Sequence, residues 1–385
     1  MPNQIQDEYE IVSEIGAGGM ATVYKAKQKS LDRPVAIKEL KKSYRADSQI
    51  VRRFERESRV AASLQHENIV HIYDYWKKPA YAIVMEYVDG INLADIIAKI
   101  GALPVDVAIM IAVQVCNALD YAHMRGLVHR DIKPSNIMVK RNGEVKLMDF
   151  GIAHTRDLEA LTLPGMLIGT PSYMSPEQIL GQQLDARSDI FSFGIVLYEM
   201  LTGIKPFTDD EARPVTARIV NDAILAPRRV NGDIPRSIQR LIKKCLKKKP
   251  KKRFDSMLEV ERRLGKRLSG KTTKAASLRR IADYLVSCKV IEAAPEQETM
   301  IITAKVPRSG RMVKAVFATA VLLLASAAAF YYFYYPEWRP VNPFVHTPAK
   351  TSPLPADGVV SRPQTTATAV PSPSALPQNS TGRGK

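Results

Sequence analysis

The stretch VHRDIKPSNIMV, Val128 to Val139, places a histidine, an arginine, an aspartate, a lysine and an asparagine within eight positions. Apolar, strand-like residues bracket it on both sides. It is either a solvated polar loop or the working part of an enzyme. The choice turns on whether other segments supply the groups such a loop needs, and three of them do.

The first is EIGAGGMATV, Glu14 to Val23, with Gly16, Gly18 and Gly19 between two strand-like runs. Glycines let a backbone approach a ligand closely and turn N–H groups toward an anion such as phosphate. A strand follows this turn rather than a helix, which disfavours a dinucleotide fold. The second is VAIK, which puts Lys38 directly after three apolar residues on a predicted strand. On the helix predicted over Asp47 to Leu64 the apolar stripe runs Ile50, Phe54, Ala61 and Leu64, and Glu57 falls on the same face. A carboxylate on a buried stripe requires a partner, and Lys38 is the expected one. The third is LMDFG, with Asp149 placed 18 residues after Asp131. Asp149 and Asn136 together offer hard oxygen ligands of the kind magnesium accepts while keeping waters and phosphates.

The elements that must position these groups alternate in type. Strands are predicted at Tyr9 to Ile15, Thr22 to Lys27, Pro34 to Leu40 and Tyr81 to Glu86. Helices are predicted at Asp47 to Leu64, Val105 to Arg125, Ser188 to Thr202 and Ile238 to Leu246, with Asp47 or Ser48 capping the first. IMVKRNGEVKLM reads as a hairpin turning at Asn142-Gly143. The expected class is α+β, with a β-rich front lobe over about residues 9–86 and an α-rich back lobe over about 87–265.

GAGGMATV, VAIK, HRDIKPSN, DFG and SPE, in that order, resemble the eukaryotic-type (Hanks-type) serine/threonine protein kinases, over about residues 9–265. With the apolar segment described below, the chain looks like the membrane-anchored, receptor-like kinases of bacteria. The resemblance implies a two-lobed kinase fold, ATP with Mg2+ (Mn2+ as a substitute), and protein substrates phosphorylated on serine or threonine. It implies that Ile15 is ATP-binding, that Gly16, Gly18 and Gly19 cover the phosphates, and that Lys38, held by Glu57, contacts them. Val23, Ala36 and Met138 would sandwich the adenine, with Met85 as gatekeeper and Glu86 and Val88 as hinge. Asp131 would take the substrate hydroxyl's proton, Lys133 would offset charge on the transferring phosphoryl group, and Asn136 and Asp149 would hold the metal. Lys133 and Thr170 match the serine/threonine pattern. Arg130 implies control by phosphorylation of the loop, at Thr162 first and Thr155 second. Glu177 would pair with Arg253, Asp189 would brace the catalytic loop, and front-lobe homodimers are a family expectation. Ala21 replaces the third loop glycine, SPE replaces APE, and Phe191 replaces a tryptophan; none of these removes a catalytic group.

The rest of the chain sets the surroundings. Three scattered cysteines, Cys116, Cys245 and Cys288, fit no zinc module or disulfide scaffold. The first ten residues carry no apolar run of the signal-peptide kind. Residues 266–314 are basic, with a short helix expected at Leu278 to Ser287. Ala315 to Tyr335 is 21 residues without a charge, about 32 Å as a helix. That matches a bilayer core of roughly 30 Å and reads as a single transmembrane helix. Arg308, Arg311 and Lys314 precede it, so the catalytic part is expected in the cytoplasm and the tail outside a plasma or inner membrane. The tail, 336–385, holds ten prolines and eleven serines or threonines and lacks the apolar content for a core.

The formal charge is +17, and Arg236 to Arg253 holds ten lysines or arginines with no acid. Lys243 to Arg253 and the segment before the span are expected to face anionic lipids. A nucleic-acid role is disfavoured, since no stacking platform or groove-reading motif accompanies the charge. A membrane-tethered pseudokinase is disfavoured because Lys38, Asp131 and Asp149 are all present.

Overall fold

Five antiparallel strands carry the front lobe, in the spatial order β1-β2-β3-β5-β4. They are β1 (Tyr9–Ala17), β2 (Ala21–Gln28), β3 (Arg33–Leu40), β4 (Ile72–Trp76) and β5 (Ala82–Glu86). The computed structural model describes residues 7–77, 80–150, 171–209, 213–268 and 273–292, with Leu322, Leu323, Ala325, Ser326, Ala327, Ala329, Phe330 and Tyr334. The chain divides into two units, Met1–Thr299 and Met300–Lys385.

Register places the candidate residues in this sheet. Lys38 lies opposite Val23 on β2 and opposite Ile83 on β5, while Ala36 lies opposite Met85. Helix α1 (Ser48–Ala62) packs beside them through Val51 and Phe54, which join Leu40 and Ile83 in a small core. Asp47 caps its start, accepting from the N–H groups of Gln49 and Ile50 at 2.8 and 3.2 Å.

The back lobe begins with β6 (Gly90–Asn92) and α2 (Leu93–Ile100), followed by α3 (Val105–His123). Strands β7 (Ile137–Lys140) and β8 (Val145–Leu147) form the hairpin read from Asn142-Gly143, and β6 pairs on β7. Gly143 sits at φ +85°, the left-handed backbone this turn demands. Next come α4 (Pro176–Ile179), α5 (Ala186–Thr202), α6 (Val215–Asn221), α7 (Pro227–Val230), α8 (Arg236–Cys245) and α9 (Met257–Gly265). Helix α3 is apolar and long enough to cross a membrane, but 67% of that window is buried in the lobe. It is the lobe's central core helix.

The packing continues past residue 265. Helix α10 (Lys274–Ser287) buries Ile281 and Leu285 fully in the same core, and Val290 follows them. Its backbone runs so close to the hairpin that a Cβ on Gly143 would lie 2.0 Å from the Leu278 carbonyl oxygen. Ion pairs Arg280–Asp106 and Lys274–Glu67 fix its outer face. This part of the basic segment is therefore committed to the domain.

The basic stretch also divides. Arg253 is buried, Lys248 sits 4.2 Å over the Phe207 ring and donates to the Ile219 carbonyl, and Lys244 pairs with Glu259 at 3.6 Å. These three turn inward, which corrects the expectation that all of Lys243 to Arg253 faces lipid. Each of these three has its own protein partner.

In the second unit, the described residues from Leu322 to Tyr334 are helical. Leu322, Leu323, Phe330 and Tyr334 are exposed, and the Ser326 hydroxyl donates to the Leu323 carbonyl at 2.9 Å. The remainder of 315–335 and all of 336–385 lie outside the described residues, as does 293–314.

Candidate active site

The loop 128–136 is held from beneath by one carboxylate. Asp189, in the first turn of α5 and 1% exposed, accepts from the His129 and Arg130 backbone N–H groups at 2.8 Å each. Its Oδ2 also meets His123 Nε2 at 2.7 Å. Burial raises the Asp189 pKa, but the His123 and His129 contacts outweigh it and hold the group below the ordinary carboxylate range. This anchoring holds Arg130 at φ +69°, a left-handed backbone that costs about 1–2 kcal/mol for a residue with a Cβ. Gln178, from α4, donates to the Arg130 carbonyl at 2.7 Å.

Asp131 then projects with one oxygen occupied. Its Oδ2 accepts from Asn136 Nδ2 at 3.0 Å and pairs with Lys133 Nζ at 2.8 Å. The other oxygen has no such partner among the described residues and is the one free to accept a proton. Because the Asn136 amide nitrogen is spent on Asp131, its Oδ1 remains available as an acceptor.

A second connection joins this loop to Asp149. The Met148 N–H donates to the Asn136 carbonyl at 2.9 Å, and His129 Nε2 lies 2.9 Å from the Met148 carbonyl. Phe150 is buried 4.5 Å from the His129 ring, centroid to centroid. Asp149 itself has φ +52°. Arg130 and Asp149 thus both hold left-handed backbone within one site.

Lys38 departs from the sequence reading. Its Nζ pairs with Asp149 Oδ1 at 2.7 Å, and the structure forms no Lys38–Glu57 ion pair. Glu57 does lie on the inward side of α1 and lines one cavity with Lys38, Met85, Met148, Asp149 and Phe150. The periodicity located the carboxylate correctly but could not foresee a nearer competitor more than a hundred residues away. Burial pushes Glu57 up to about 7, with Asp149 and Asp131 adding to the rise and Lys38 opposing it. Asp149 is held below its usual range: burial works to raise it, and the Lys38 charge and hydrogen bond prevail. Lys38 is raised: burial works to lower it, and the charges of Asp149 and Glu57 prevail.

The remaining predicted residues fall as follows. Ile15 and Gly16 are on β1, Val23 on β2, Ala36 on β3, Met85 and Glu86 on β5, and Met138 on β7, with Val88 in the link between lobes. A Cβ at Gly16 or Gly19 would meet no protein atom within 4 Å, so close approach from outside is left open there. The Glu86 side chain pairs with Lys146 at 2.8 Å. Glu177 and Arg253 are brought together as a bidentate pair, at 2.6 and 2.7 Å, with side chains 3% and 0% exposed. Ser188 donates to the same carboxylate at 2.7 Å. Thr155, Thr162 and Thr170 lie outside the described residues.

Sequence reasoning missed His123, Gln178 and Arg56. Arg130 Nε is buried without a hydrogen-bond partner among the described residues. Arg56, on α1, is close enough that its charge, after burial and against Asp189, depresses the Arg130 pKa. Arg56 directly precedes Glu57 in the chain, which was the available signal.

No protein group among the described residues forms a metal cluster of three or more His, Cys, Asp or Glu side chains. Mg2+ bound beside phosphates needs few protein oxygens, and Asn136 with Asp149 fits that requirement.

Comparison with known proteins adds the family. Residues 9–263 match the family model described as protein kinase domain. A probable serine/threonine-protein kinase of Clostridium perfringens is 42% identical over 255 residues, covering 66% of this chain and 37% of that protein. Serine/threonine-protein kinase PrkC of Bacillus subtilis is 40% identical over 259 residues, covering 67% and 40%. Serine/threonine-protein kinase PknB of Mycobacterium leprae is 38% identical over 288 residues, covering 73% and 46%. The matched stretch thus spans less than half the length of these curated relatives. The crystal structure of the Mycobacterium tuberculosis PknI kinase domain (a double mutant) aligns with a TM-score of 0.55 and 28% identity, over 67% of this chain and 95% of that one.

Proposed function

This chain belongs to the protein kinase family, and we propose that it is a serine/threonine protein kinase that transfers the terminal phosphoryl group of ATP to protein hydroxyls. The observation that carries the reading is Asp131, held through one oxygen by Asn136 and Lys133 with the other left free. That oxygen would orient a substrate hydroxyl and take its proton. Lys133, already beside Asp131, offsets charge developing on the phosphoryl oxygens. Asn136 and Asp149 would hold Mg2+, which when bound neutralises phosphate charge.

The state described is a resting one. Lys38 and Asp149 Oδ1 neutralise each other, so in this state the lysine's charge is directed at the carboxylate and not at a nucleotide. Productive binding requires Lys38 to leave Asp149 for the nucleotide phosphates and α1 to bring Glu57 onto Lys38. We assign the trigger to phosphorylation of the loop at Thr162, with Thr155 second, by the enzyme itself. A phosphate carries roughly −1.5 to −2 charge and would satisfy the orphaned Arg130 Nε. Arg56 lies near that arginine, so the same phosphate would draw on α1 and, one residue on, on Glu57.

The apolar run 315–335 is proposed as a single membrane span. The catalytic unit would then be cytoplasmic and 336–385 extracytoplasmic. The exposed apolar helix residues Leu322, Leu323, Phe330 and Tyr334 support a lipid environment for this segment.

Incubation of the full chain with Mg-ATP, beside Lys38→Met and Asp131→Asn, tests the activity. Phosphate should appear on the loop of the unaltered protein alone.

A further inference from the structure

Helix α8 is sharply two-faced. Ile238, Leu241, Ile242 and Cys245 are buried, while Arg236, Arg240, Lys243 and Lys247 are exposed. At 100° per residue Arg236, Arg240 and Lys243 fall within an arc of roughly 60°, opposite the core, and Lys247 follows two residues past the helix end. The chain then adds Lys249, Lys251 and Lys252, all exposed, in the turn that follows. Ile234 to Phe254 contains no acidic residue.

Several cations on other helices are matched within their own helix. Arg59 is matched with Glu55, Arg218 with Asp222, Arg263 with Glu259 and Arg279 with Asp283, each four residues apart. None of the seven exposed cations on and after α8 has a side-chain partner among the described residues. Like charges at these spacings repel, and Arg236 in the first turn also opposes the helix dipole. A surface that costs the free domain stability in this way implies an opposite charge supplied from outside.

We propose that the Arg236–Arg240–Lys243–Lys247 face, with Lys249, Lys251 and Lys252, docks on an anionic lipid surface. The proposal rests on the membrane reading above. It favours lipid over an acidic protein or nucleic acid because the array follows a convex helix face and a turn. The sequence distance points the same way: residues 293–314 are 22 residues, at most about 75 Å when extended, between the last packed segment and the apolar run. A tether of that length holds the domain at high effective concentration near a bilayer. Docking there would set the orientation of the catalytic unit toward its substrates.

Fragment 1–299 contains the whole described core of the first unit, and a relative's kinase domain crystallises alone. It would be sedimented with vesicles of phosphatidylcholine, with and without phosphatidylglycerol, at physiological salt. Binding should require the anionic lipid. At about five-fold per charge, Arg240→Gln/Lys243→Gln/Lys247→Gln should weaken it roughly 100-fold. A control, Arg59→Gln/Arg263→Gln/Arg279→Gln, removes the same charge from paired positions and should lose far less. The α8 variant should unfold at the same temperature as the parent or higher, because it relieves repulsion.

Equal binding to both vesicle types, binding to neither, or equal losses in the two variants would overturn the proposal. So would tighter binding to a short DNA duplex or an acidic peptide than to the anionic vesicles. The fragment lacks residues 300–385, so this result is independent of the span. The span is tested separately by alkaline carbonate extraction of the full chain.

Discussion

Lys38 has three carboxylates within electrostatic reach, Asp149, Glu57 and Asp131, and in this state it takes Asp149. The cost falls on Glu57, whose carboxyl is left buried and raised from the ordinary 4.5 to about 7. Below about pH 7 the folded site therefore favours the neutral acid. The stability gained by that protonation is fully present below about pH 4.5 and is lost as pH rises through about 7. Glu57→Gln should accordingly unfold a few degrees higher than the parent at pH 8 without nucleotide, and the difference should shrink toward pH 5. A thermal melt series across that range checks it, and phosphotransfer should fall sharply in the same variant because Lys38 loses its active-state partner. The residues of this site were legible in the sequence to different depths. Glu57 could be located by helical period, and Asp131, Asn136 and Asp149 by their motifs. The pairing of Lys38 with Asp149 depends on where α1 sits against the sheet, which no local pattern encodes. His123 was invisible for the same reason: a lone histidine on a core helix, it acts only because α5 brings Asp189 to it.

Among the elements, two contacts tie distant parts of the back lobe together. Arg253 satisfies Glu177 bidentately, the Arg187 carbonyl and the Lys247 and Lys248 carbonyls. Arg253→Met would leave Glu177 buried without its countercharge, and a loss of about 3–5 kcal/mol is expected by urea unfolding. Gly143 answers two demands at once, a left-handed turn and the close approach of α10. Gly143→Ala should cost at least about 1 kcal/mol from backbone strain alone, and should raise hydrogen exchange along α10. The Asn142-Gly143 turn and the strands β1, β2, β3 and β5 could be read from alternation and turn chemistry. Strand β4, Ile72–Trp76, could not: its side chains are half-buried or exposed, so no clean period marks it. The docking of α10 was equally hidden, because a basic segment that buries only Ile281, Leu285 and Val290 looks solvated from composition.

At the scale of the whole molecule, charge and hydropathy separate the chain into a catalytic unit and an apolar segment. The reading of residues 315–335 as a span predicts that the full chain stays with membranes through alkaline carbonate, while fragment 1–299 is released at high salt. Leu323→Arg places a charge near the middle of the run, at about 2.5–3.5 kcal/mol for insertion, and should reduce the membrane fraction. Phosphoryl transfer by the Asp131 site is read out by mass spectrometry of the purified chain after incubation with Mg-ATP. Phosphate is expected on Thr162 or Thr155 in the parent, and none in folded, ATP-binding Lys38→Met or Asp131→Asn. An unmodified parent that is folded and binds ATP, or undiminished phosphorylation in Asp131→Asn, would contradict it.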